Sequence, residues 1–242
     1  MALYHSPSIV TDGLMLCLDA ANIKSYPGTG TTWTDLSGNN KNGTLVNSPT
    51  YSNNVFTFNG STQYTSTTLT YANNSAYTMG CWIKTSTSQL SGLIGFRKAF
   101  SSTSWQTQFY IAGNADANIS GNYLKFDEWN LTSGSFTARR SIFVNTNSVV
   151  TGNWVNITAT SDSTGARIYI NGSLVAQDSS TPQATRLDPA TFTIAAAGDY
   201  PNSPLSGYYF NGSMNGVCFY NRALSNEEVK RNFNALRGRY GI

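Results

Sequence analysis

Short apolar runs with a period of two residues are the feature that most limits how this chain can fold. They recur along most of its 242 residues. The alternating sets are Leu14, Leu16 and Leu18; Phe56 and Phe58; Tyr77, Met79, Cys81 and Ile83; Val155, Ile157 and Ala159; Ile168 and Ile170; and Val217 and Phe219. Such alternation indicates half-buried β-strands, and frequent turn signals between them favour a two-sheet sandwich or a barrel. In "YTMGCWIKT", Trp82 lies on the opposite face from Cys81, which predicts a sheet whose second face is partly covered.

Asn-Gly dipeptides separate several of these runs, at Asn42, Asn59, Asn171, Asn211 and Asn215. This dipeptide accepts a positive φ at both central positions of a type I′ hairpin. We therefore expect tight turns there, most clearly within "GARIYINGSLVAQ", residues 165–177. The segment "SSTSW" and residues 114–135 lack a pattern and are predicted to be long loops or an insertion.

Charge and length exclude several classes of protein. Only 11% of residues are charged, and the net charge of +3 includes no basic run, so nucleic-acid binding is not expected. No apolar run approaches the ~20 residues of a membrane helix, and "MALYHSPSIV" does not resemble a signal peptide, so neither membrane insertion nor secretion is expected. We predict one domain over residues 11–242 after an arm, 1–10. The arm either adds a strand to a neighbouring subunit's edge or is disordered.

One short helix is predicted near the C-terminus. Ser225 and Glu228 form the pattern of a capping box, with Leu224 and Val229 at the hydrophobic staple positions. Val229, Phe233 and Leu236 form one apolar stripe for docking on the sandwich. Gly238 is the expected C-terminal stop.

Catalysis is not expected, and we assign no catalytic residue. The only histidine is His5, in the arm, which leaves a serine or cysteine nucleophile without a positioned base. A glycosidase needs two facing carboxylates. Asp127 and Glu128 are adjacent, so on a strand they point to opposite faces, and we expect both to be solvated. Glu227 and Glu228 belong to the helix cap. Cys17, Cys81 and Cys218 are interpreted as small core residues of a protein made in a reducing cytoplasm.

Four segments resemble the laminin G-like jelly rolls of the concanavalin A-like lectin/glucanase superfamily. They are "FTFNGSTQYTS", "YTMGCWIKTS", "GNWVNITATSDSTGARIYINGSLVAQ" and "YFNGSMNGVCFYNRALSNEEV". The resemblance implies an all-β fold, a two-sheet antiparallel β-sandwich (concanavalin A-like jelly roll) with one short C-terminal α-helix. Residues 9–51 and 234–242 also resemble the version found in virion proteins of tailed bacteriophages, especially marine ones.

That resemblance implies a non-enzymatic virion structural protein, a capsid-decoration or fibre-associated module with glycan adhesion. It would be made in the host cytoplasm and reside in the virion, with other capsid or tail proteins as partners and a homo-oligomer as an open alternative. The second hypothesis is a carbohydrate-binding lectin that recognises host surface polysaccharide as a receptor-binding protein.

Members of the superfamily often bind Ca²⁺ through acidic residues at the rim of the sandwich. The matching positions here carry Asn59 and Asn215, and calcium prefers carboxylate oxygens. We therefore expect a weak or empty calcium site and no cofactor, with Asp199 left as an isolated ligand candidate.

Sugar recognition requires an aromatic platform together with amide and hydroxyl groups. The aromatic residues outside the clearest strand patterns are the candidate carbohydrate-binding residues: Trp105, Trp129, Tyr200, Tyr208 and Tyr209. Trp33, Trp82 and Trp154 lie within patterned segments and are assigned to the core.

Overall fold

Two antiparallel β-sheets face each other across an apolar core. The computed structural model describes residues 7–71, 76–97, 103–112, 123–132, 135–179, 190–197, 204 and 206–242. The strands are, in chain order, β1 (Leu14–Leu18), β2 (Thr32–Trp33), β3 (Gly43–Val46), β4 (Thr50–Ser52), β5 (Val55–Asn59), β6 (Tyr64–Tyr71), β7 (Tyr77–Lys84), β8 (Ser91–Arg97), β9 (Thr103–Ala112), β10 (Tyr123–Thr132), β11 (Ser135–Asn145), β12 (Trp154–Asp162), β13 (Gly165–Ile170), β14 (Ser173–Asp178), β15 (Ala190–Ile194) and β16 (Asn211–Tyr220).

The first sheet has the order β14-β13-β12-β7-β16-β5-β4, and β1 also pairs with β16. The second sheet has the order β11-β10-β9-β8-β15-β6-β3-β2. One α-helix, α1 (Asn226–Leu236), follows the last strand. The predicted all-β sandwich with a short C-terminal helix is therefore confirmed.

The alternating apolar residues fill the space between the sheets, as their period predicts. The Phe219 ring of β16 and the Phe96 ring of β8 meet across this space with centroids 5.3 Å apart. Trp33 is fully buried in the same core. Leu14 is the exception among the alternating residues. The pairing of β1 with β16 is irregular between Leu14 and Leu16, and Leu14 packs instead against the cluster beneath α1.

The Asn-Gly expectation holds at the β13–β14 hairpin, and Asn59-Gly60 also lies in the turn between β5 and β6, but the expectation fails within β16. Asn171 and Gly172 join β13 to β14 with φ of 50° and 74°, as a type I′ turn requires. Asn211-Gly212 and Asn215-Gly216 lie inside β16, so the turns predicted there are wrong. Gly216, with φ of 56°, instead occupies an irregularity in the pairing of β16 with β7.

The regions predicted to be long loops contain the first three residues of β9, all of β10 and the first residue of β11, so that prediction is wrong for residues 103–105, 123–132 and 135. Strands β9 and β10 are both ten residues long and pair along their whole length. The pattern was hidden because buried β10 carries Lys125, Asp127 and Glu128 among its apolar residues.

Helix α1 and the 3₁₀ turn Arg237–Tyr240 cover the outer face of the first sheet. Trp82 of β7 is 1% exposed there, under the rings of Tyr240 and Phe233 at centroid distances of 4.0 and 5.6 Å. This confirms the partly covered second face. Trp154 is only half-buried and contacts Tyr240 at 4.9 Å, so its assignment to the core is wrong.

The predicted capping box begins α1. The Ser225 hydroxyl accepts from the Glu228 amide at 3.3 Å, and the Glu228 carboxylate accepts from the Ser225 amide at 2.9 Å. Leu224 and Val229 are buried together, as the staple predicts. Gly238 is not the stop, because the chain continues as a 3₁₀ turn until Gly241, which has φ of 75°.

Glu228 also links the helix to the preceding loop, and this link predicts a pH dependence. Two hydrogen bonds from the Arg222 guanidinium, at 2.8 and 2.6 Å, hold the pKa of Glu228 at about 2. Because the unfolded pKa is about 4.3, the stabilisation is complete above that pH and is lost as pH falls towards 2.

We expect Glu228→Gln to lower the free energy of unfolding by about 1 kcal/mol at pH 7, since the pair is partly solvated and glutamine retains the cap. The deficit should shrink towards pH 2, as urea unfolding at both pH values would show. Glu227→Gln, at a fully exposed carboxylate, is the control and should show a smaller change. A deficit equal at both pH values would contradict the ion-pair explanation.

The described end of the predicted arm packs on α1. The Val10 amide donates to Asn232 Oδ1 at 2.8 Å, and its carbonyl accepts from the Tyr220 hydroxyl at 3.0 Å. Residues 1–6, including His5, lie outside the described part, and the domain boundary at residue 10 stays a prediction. Within the described chain, no helix combines the length and apolarity that crossing a membrane requires.

The cysteines differ in their surroundings. Cys81 is fully buried in the main core, as predicted. Cys17 and Cys218 lie on the outer face of the first sheet, where Cys17 is buried and Cys218 is half-buried, so the interpretation of both as residues of the main core is wrong.

Candidate functional site

The two adjacent acids of β10 are the first place to look for chemistry, and neither is solvated. Glu128 is 0% exposed and Asp127 is 3% exposed, so the expectation of solvated side chains is wrong. They do point to opposite faces, as strand geometry predicts. Glu128 points between the sheets, whereas Asp127 points to the outer face of the second sheet.

Glu128 belongs to a polar network that joins the two sheets. Arg140 of β11 pairs with it at 3.2 Å, and the Ser161 hydroxyl of β12 donates to its carboxylate at 3.0 Å. The Tyr77 hydroxyl of β7 also donates to Glu128. Because Glu128 and Arg140 belong to one sheet and Ser161 and Tyr77 to the other, the network is an inter-sheet connection.

Asp127 is held in a second buried group on the outer face. It accepts from the Tyr110 hydroxyl at 3.1 Å and from the Ser141 hydroxyl, and Lys125 Nζ lies 3.4 Å from its carboxylate. Lys125 also lies 5.2 and 5.1 Å from the centroids of the Tyr110 and Phe143 rings. Cation–π contacts at these distances stabilise a buried ammonium group. The two carboxylates of β10 therefore do not face a common substrate position.

A polar turn stands at one rim of the sandwich, between β5 and β6. The Asn59 Oδ1 atom accepts from the amides of Ser61, Thr62 and Gln63 at 3.0, 3.1 and 3.3 Å. Gln63 Nε2 donates to the carbonyl of Ser48 at 2.9 Å. Asn59 thus acts as a turn residue, and Ser61 and Thr62 remain exposed beside it.

Two half-buried tyrosines stand next to this turn. The rings of Tyr64 and Tyr209 have centroids 6.3 Å apart and an interplanar angle of 55°. Burial, with a smaller contribution from Tyr209, raises the pKa of Tyr64, so its hydroxyl is a neutral donor at physiological pH. We call Tyr64, Tyr208, Tyr209 and the turn 59–63 the tyrosine rim. None of these residues is charged.

Backbone contacts hold Tyr208 and Tyr209 against the second sheet. The Tyr208 carbonyl accepts from the amides of Gly92 and Ala197 at 2.9 and 3.1 Å. Tyr209 forms an isolated antiparallel β-bridge with Ala196. A Cβ atom on Gly92 would lie 2.1 Å from the backbone nitrogen of Ala197, so only glycine fits there. The rim is therefore supported by the ends of two central strands of the second sheet, β8 and β15.

The structure describes the side chains of only two of the five aromatic residues that the sequence predicted to bind carbohydrate. Tyr209 contacts Tyr64 in the rim, and Tyr208 precedes it in the chain. Trp105 lies in β9 and Trp129 in β10, but their side chains, like all of Tyr200 and Asp199, lie outside the described residues. Sequence reasoning missed Tyr64, which stands within the quoted segment "FTFNGSTQYTS" at the start of a strand. Its position directly after a turn was the available signal.

The asparagines at the expected calcium positions bond to protein groups. Asn215 is 1% exposed, and its Oδ1 atom accepts from the Ala20 and Gly216 amides at 2.9 and 2.8 Å. Its Nδ2 atom donates to the Asn54 carbonyl at 3.2 Å. Among the described residues, no group of three or more His, Cys, Asp or Glu side chains is arranged to hold a metal ion.

A two-sheet jelly roll with a helix on one face is the fold of lectin-like domains. A laminin G family model, described as the concanavalin A-like lectin/glucanases superfamily, matches residues 58–230. The chain belongs to this family, as its motifs predicted. A search of curated protein sequences finds no match.

Solved structures share the fold at low sequence identity. The binding domain of botulinum neurotoxin DC in complex with rat synaptotagmin II has a TM-score of 0.61 and 17% identity, over 94% of this chain and 52% of that chain. The same domain in complex with SialylT gives 0.61 and 17%, over 93% and 52%. Trypanosoma rangeli sialidase in complex with the inhibitor DANA gives 0.60 and 14%, over 95% and 35%. The chain spans about half the length of the neurotoxin domains, and these likenesses concern the fold alone.

Proposed function

We propose that this chain is a non-enzymatic adhesion module that binds carbohydrate at the tyrosine rim. The observation that carries the proposal is the half-buried Tyr64–Tyr209 pair beside a turn of amides and hydroxyls. Tyrosine rings present apolar faces to a sugar ring, and their hydroxyls bond to its edge. A solved structure that shares this fold over 52% of its own chain, the botulinum neurotoxin DC binding domain, is described in complex with SialylT, which is consistent with a binding role.

The uncharged rim favours a neutral glycan. Charged ligands are recognised through fixed charges of opposite sign, and the rim residues supply none. Buried Asp127 and Glu128 point to opposite faces, which supports the proposal that the module does not hydrolyse the glycan. The proposal includes no resident calcium ion, since the Asn59 and Asn215 amides are used to bind the backbone.

We expect Tyr209→Ala and Tyr64→Ala each to weaken glycan binding about tenfold, because each removes half of the platform, a loss of about 1.4 kcal/mol. A glycan array should identify a hit for the unmodified protein, and titration calorimetry should measure the variants. Leu174→Ala is the control, since Leu174 is 43% exposed on edge strand β14 and lies outside the rim. Equal affinities for the rim variants and the control would remove the rim from the proposal.

We further propose that the module is a component of a bacteriophage virion, as a capsid-decoration or fibre-associated protein. Residues 9–51 and 234–242 carry the resemblance to virion proteins, and they are in mutual contact. Arg239 forms two bonds with the Asp19 carboxylate at 2.7 and 2.8 Å. Antibody labelling of purified particles tests this proposal. Regular labelling of the head supports decoration, labelling of the tail supports receptor binding, and unlabelled particles would contradict it.

A further inference from the structure

Two cysteines face each other directly across the β1–β16 pairing. Cys17 is the register partner of Cys218, and their Sγ atoms are 3.8 Å apart. The Cys17 amide donates to Asp35 Oδ1 at 2.9 Å, and its carbonyl accepts from the Leu36 amide at 2.8 Å. Both backbone groups therefore point away from β16, which makes this a non-hydrogen-bonded pair. Such pairs have Cα atoms about 4.5 Å apart, within the range of about 4.4–6.8 Å that a disulfide spans.

Small molecules can reach these sulfur atoms. A cavity of about 300 Å³ lies between the sheet and the end of α1, and both cysteines line it together with Ser8, Ile9 and Leu236. Cys218 is half-buried, whereas Cys81 is enclosed in the main core. The protein thus contains one thiol pair that lines a cavity and one thiol, Cys81, that is enclosed in the core and serves as an internal reference.

We propose that Cys17 and Cys218 are a redox-active pair that a small dialkyl disulfide oxidises to a cross-strand disulfide. One thiol loses its proton, and the thiolate attacks the reagent, forming a mixed disulfide and releasing one alkyl thiolate. The second cysteine, as thiolate, then attacks the protein sulfur of that mixed disulfide and releases the second alkyl thiolate. The protein loses two electrons and two protons, and the reagent is reduced to two alkyl thiols.

The reaction is slow near neutral pH, because the thiolate is the attacking species. The contact with Cys17, together with burial, raises the pKa of the Cys218 thiol well above its usual value. Oxidation therefore accelerates as pH rises. The resulting bond joins residues 201 positions apart and therefore lowers the conformational entropy of the unfolded chain. The chain folds with free thiols in a reducing compartment and becomes more stable in an oxidising one.

The test is incubation of the folded protein with 2-hydroxyethyl disulfide, followed by intact-mass and melting measurements. We expect a loss of about 2 Da for two hydrogens and a rise in Tm of about 10 °C that dithiothreitol reverses. Peptide mapping should detect a disulfide-linked pair of peptides that contain Cys17 and Cys218. Cys81→Ala should behave like the unmodified protein, whereas Cys17→Ser and Cys218→Ser should gain neither the link nor the Tm increase.

Three results would overturn the proposal: a stable mixed disulfide on the unmodified protein without closure, a link that includes Cys81, or thiols that stay reduced at high pH. The mass and mapping measurements on the unmodified protein distinguish these results even if one variant fails to fold.

Discussion

Arg140→Met should lower the free energy of unfolding by about 3–5 kcal/mol, because it removes the cation that faces a buried carboxylate. Glu128 is 0% exposed and Arg140 is 1% exposed, and their charged atoms are 3.2 Å apart between the sheets. In the variant Glu128 has lost its counter-charge in a buried site, and its remaining partners Ser161 and Tyr77 are uncharged. Urea unfolding at pH 7 measures the change.

Two further variants separate charge from packing in that experiment. Glu128→Gln combined with Arg140→Met should recover most of the loss, since the neutral amide still accepts from Ser161 and Tyr77. Arg167→Ala, at the partly exposed pair of Arg167 and Asp162, should cost less than about 1 kcal/mol. A double variant as unstable as Arg140→Met alone would show that the shape of Arg140, and not its charge, stabilises the contact.

Trp82→Ala is expected to cost a similar amount, about 3–5 kcal/mol, through a cavity under the helix. Trp82 is 1% exposed and lies against Phe233 and Tyr240 at the interface between α1 and the first sheet. Alanine removes that packing and separates the helix from its support. Calorimetric melting measures the loss, and hydrogen exchange should show faster opening of residues 226–240 than of the β-strands.

Trp154→Ala provides the matched control for that variant. Trp154 is half-buried and also contacts Tyr240, so its removal should cost clearly less than removal of Trp82. If both variants lost equal stability, Tyr240 rather than Trp82 would be the residue that fixes the C-terminal segment.

The sequence predicted the parts of the fold that depend on local chemistry. Period-two alternation identified the strands at the centre of the first sheet, and the Ser225–Glu228 pair identified the start of the helix. Both signals act over a few residues, and tertiary contacts agreed with them. Asn171-Gly172 was predictable for the same reason, since a two-residue hairpin needs positive φ at both positions.

The failures come from contacts between residues distant in sequence. We predicted solvated side chains for Glu128 and Asp127 because the sequence does not show their partners. Those partners, Arg140 and Ser141, lie on another strand. Asn215 was predicted to be a turn residue, yet its side-chain oxygen accepts from the amide of Ala20, 195 positions away. Tyr64 and Tyr209 are far apart in the sequence, so sequence spacing alone did not show that their rings form one platform.

Tyrosine-selective ¹³C NMR tests most directly whether a glycan binds at the tyrosine rim. The protein is titrated with the glycan that the array identifies, and the recovered glycan is then analysed by mass spectrometry. Tyr→Phe variants assign the ring signals. We expect the Tyr64 and Tyr209 signals to shift, the Tyr110 and Tyr123 signals to stay unchanged, and the glycan to be recovered intact. Shifts confined to Tyr123 and to Tyr110, which donates to Asp127, would contradict binding at the rim, and a shortened glycan would contradict a non-catalytic module.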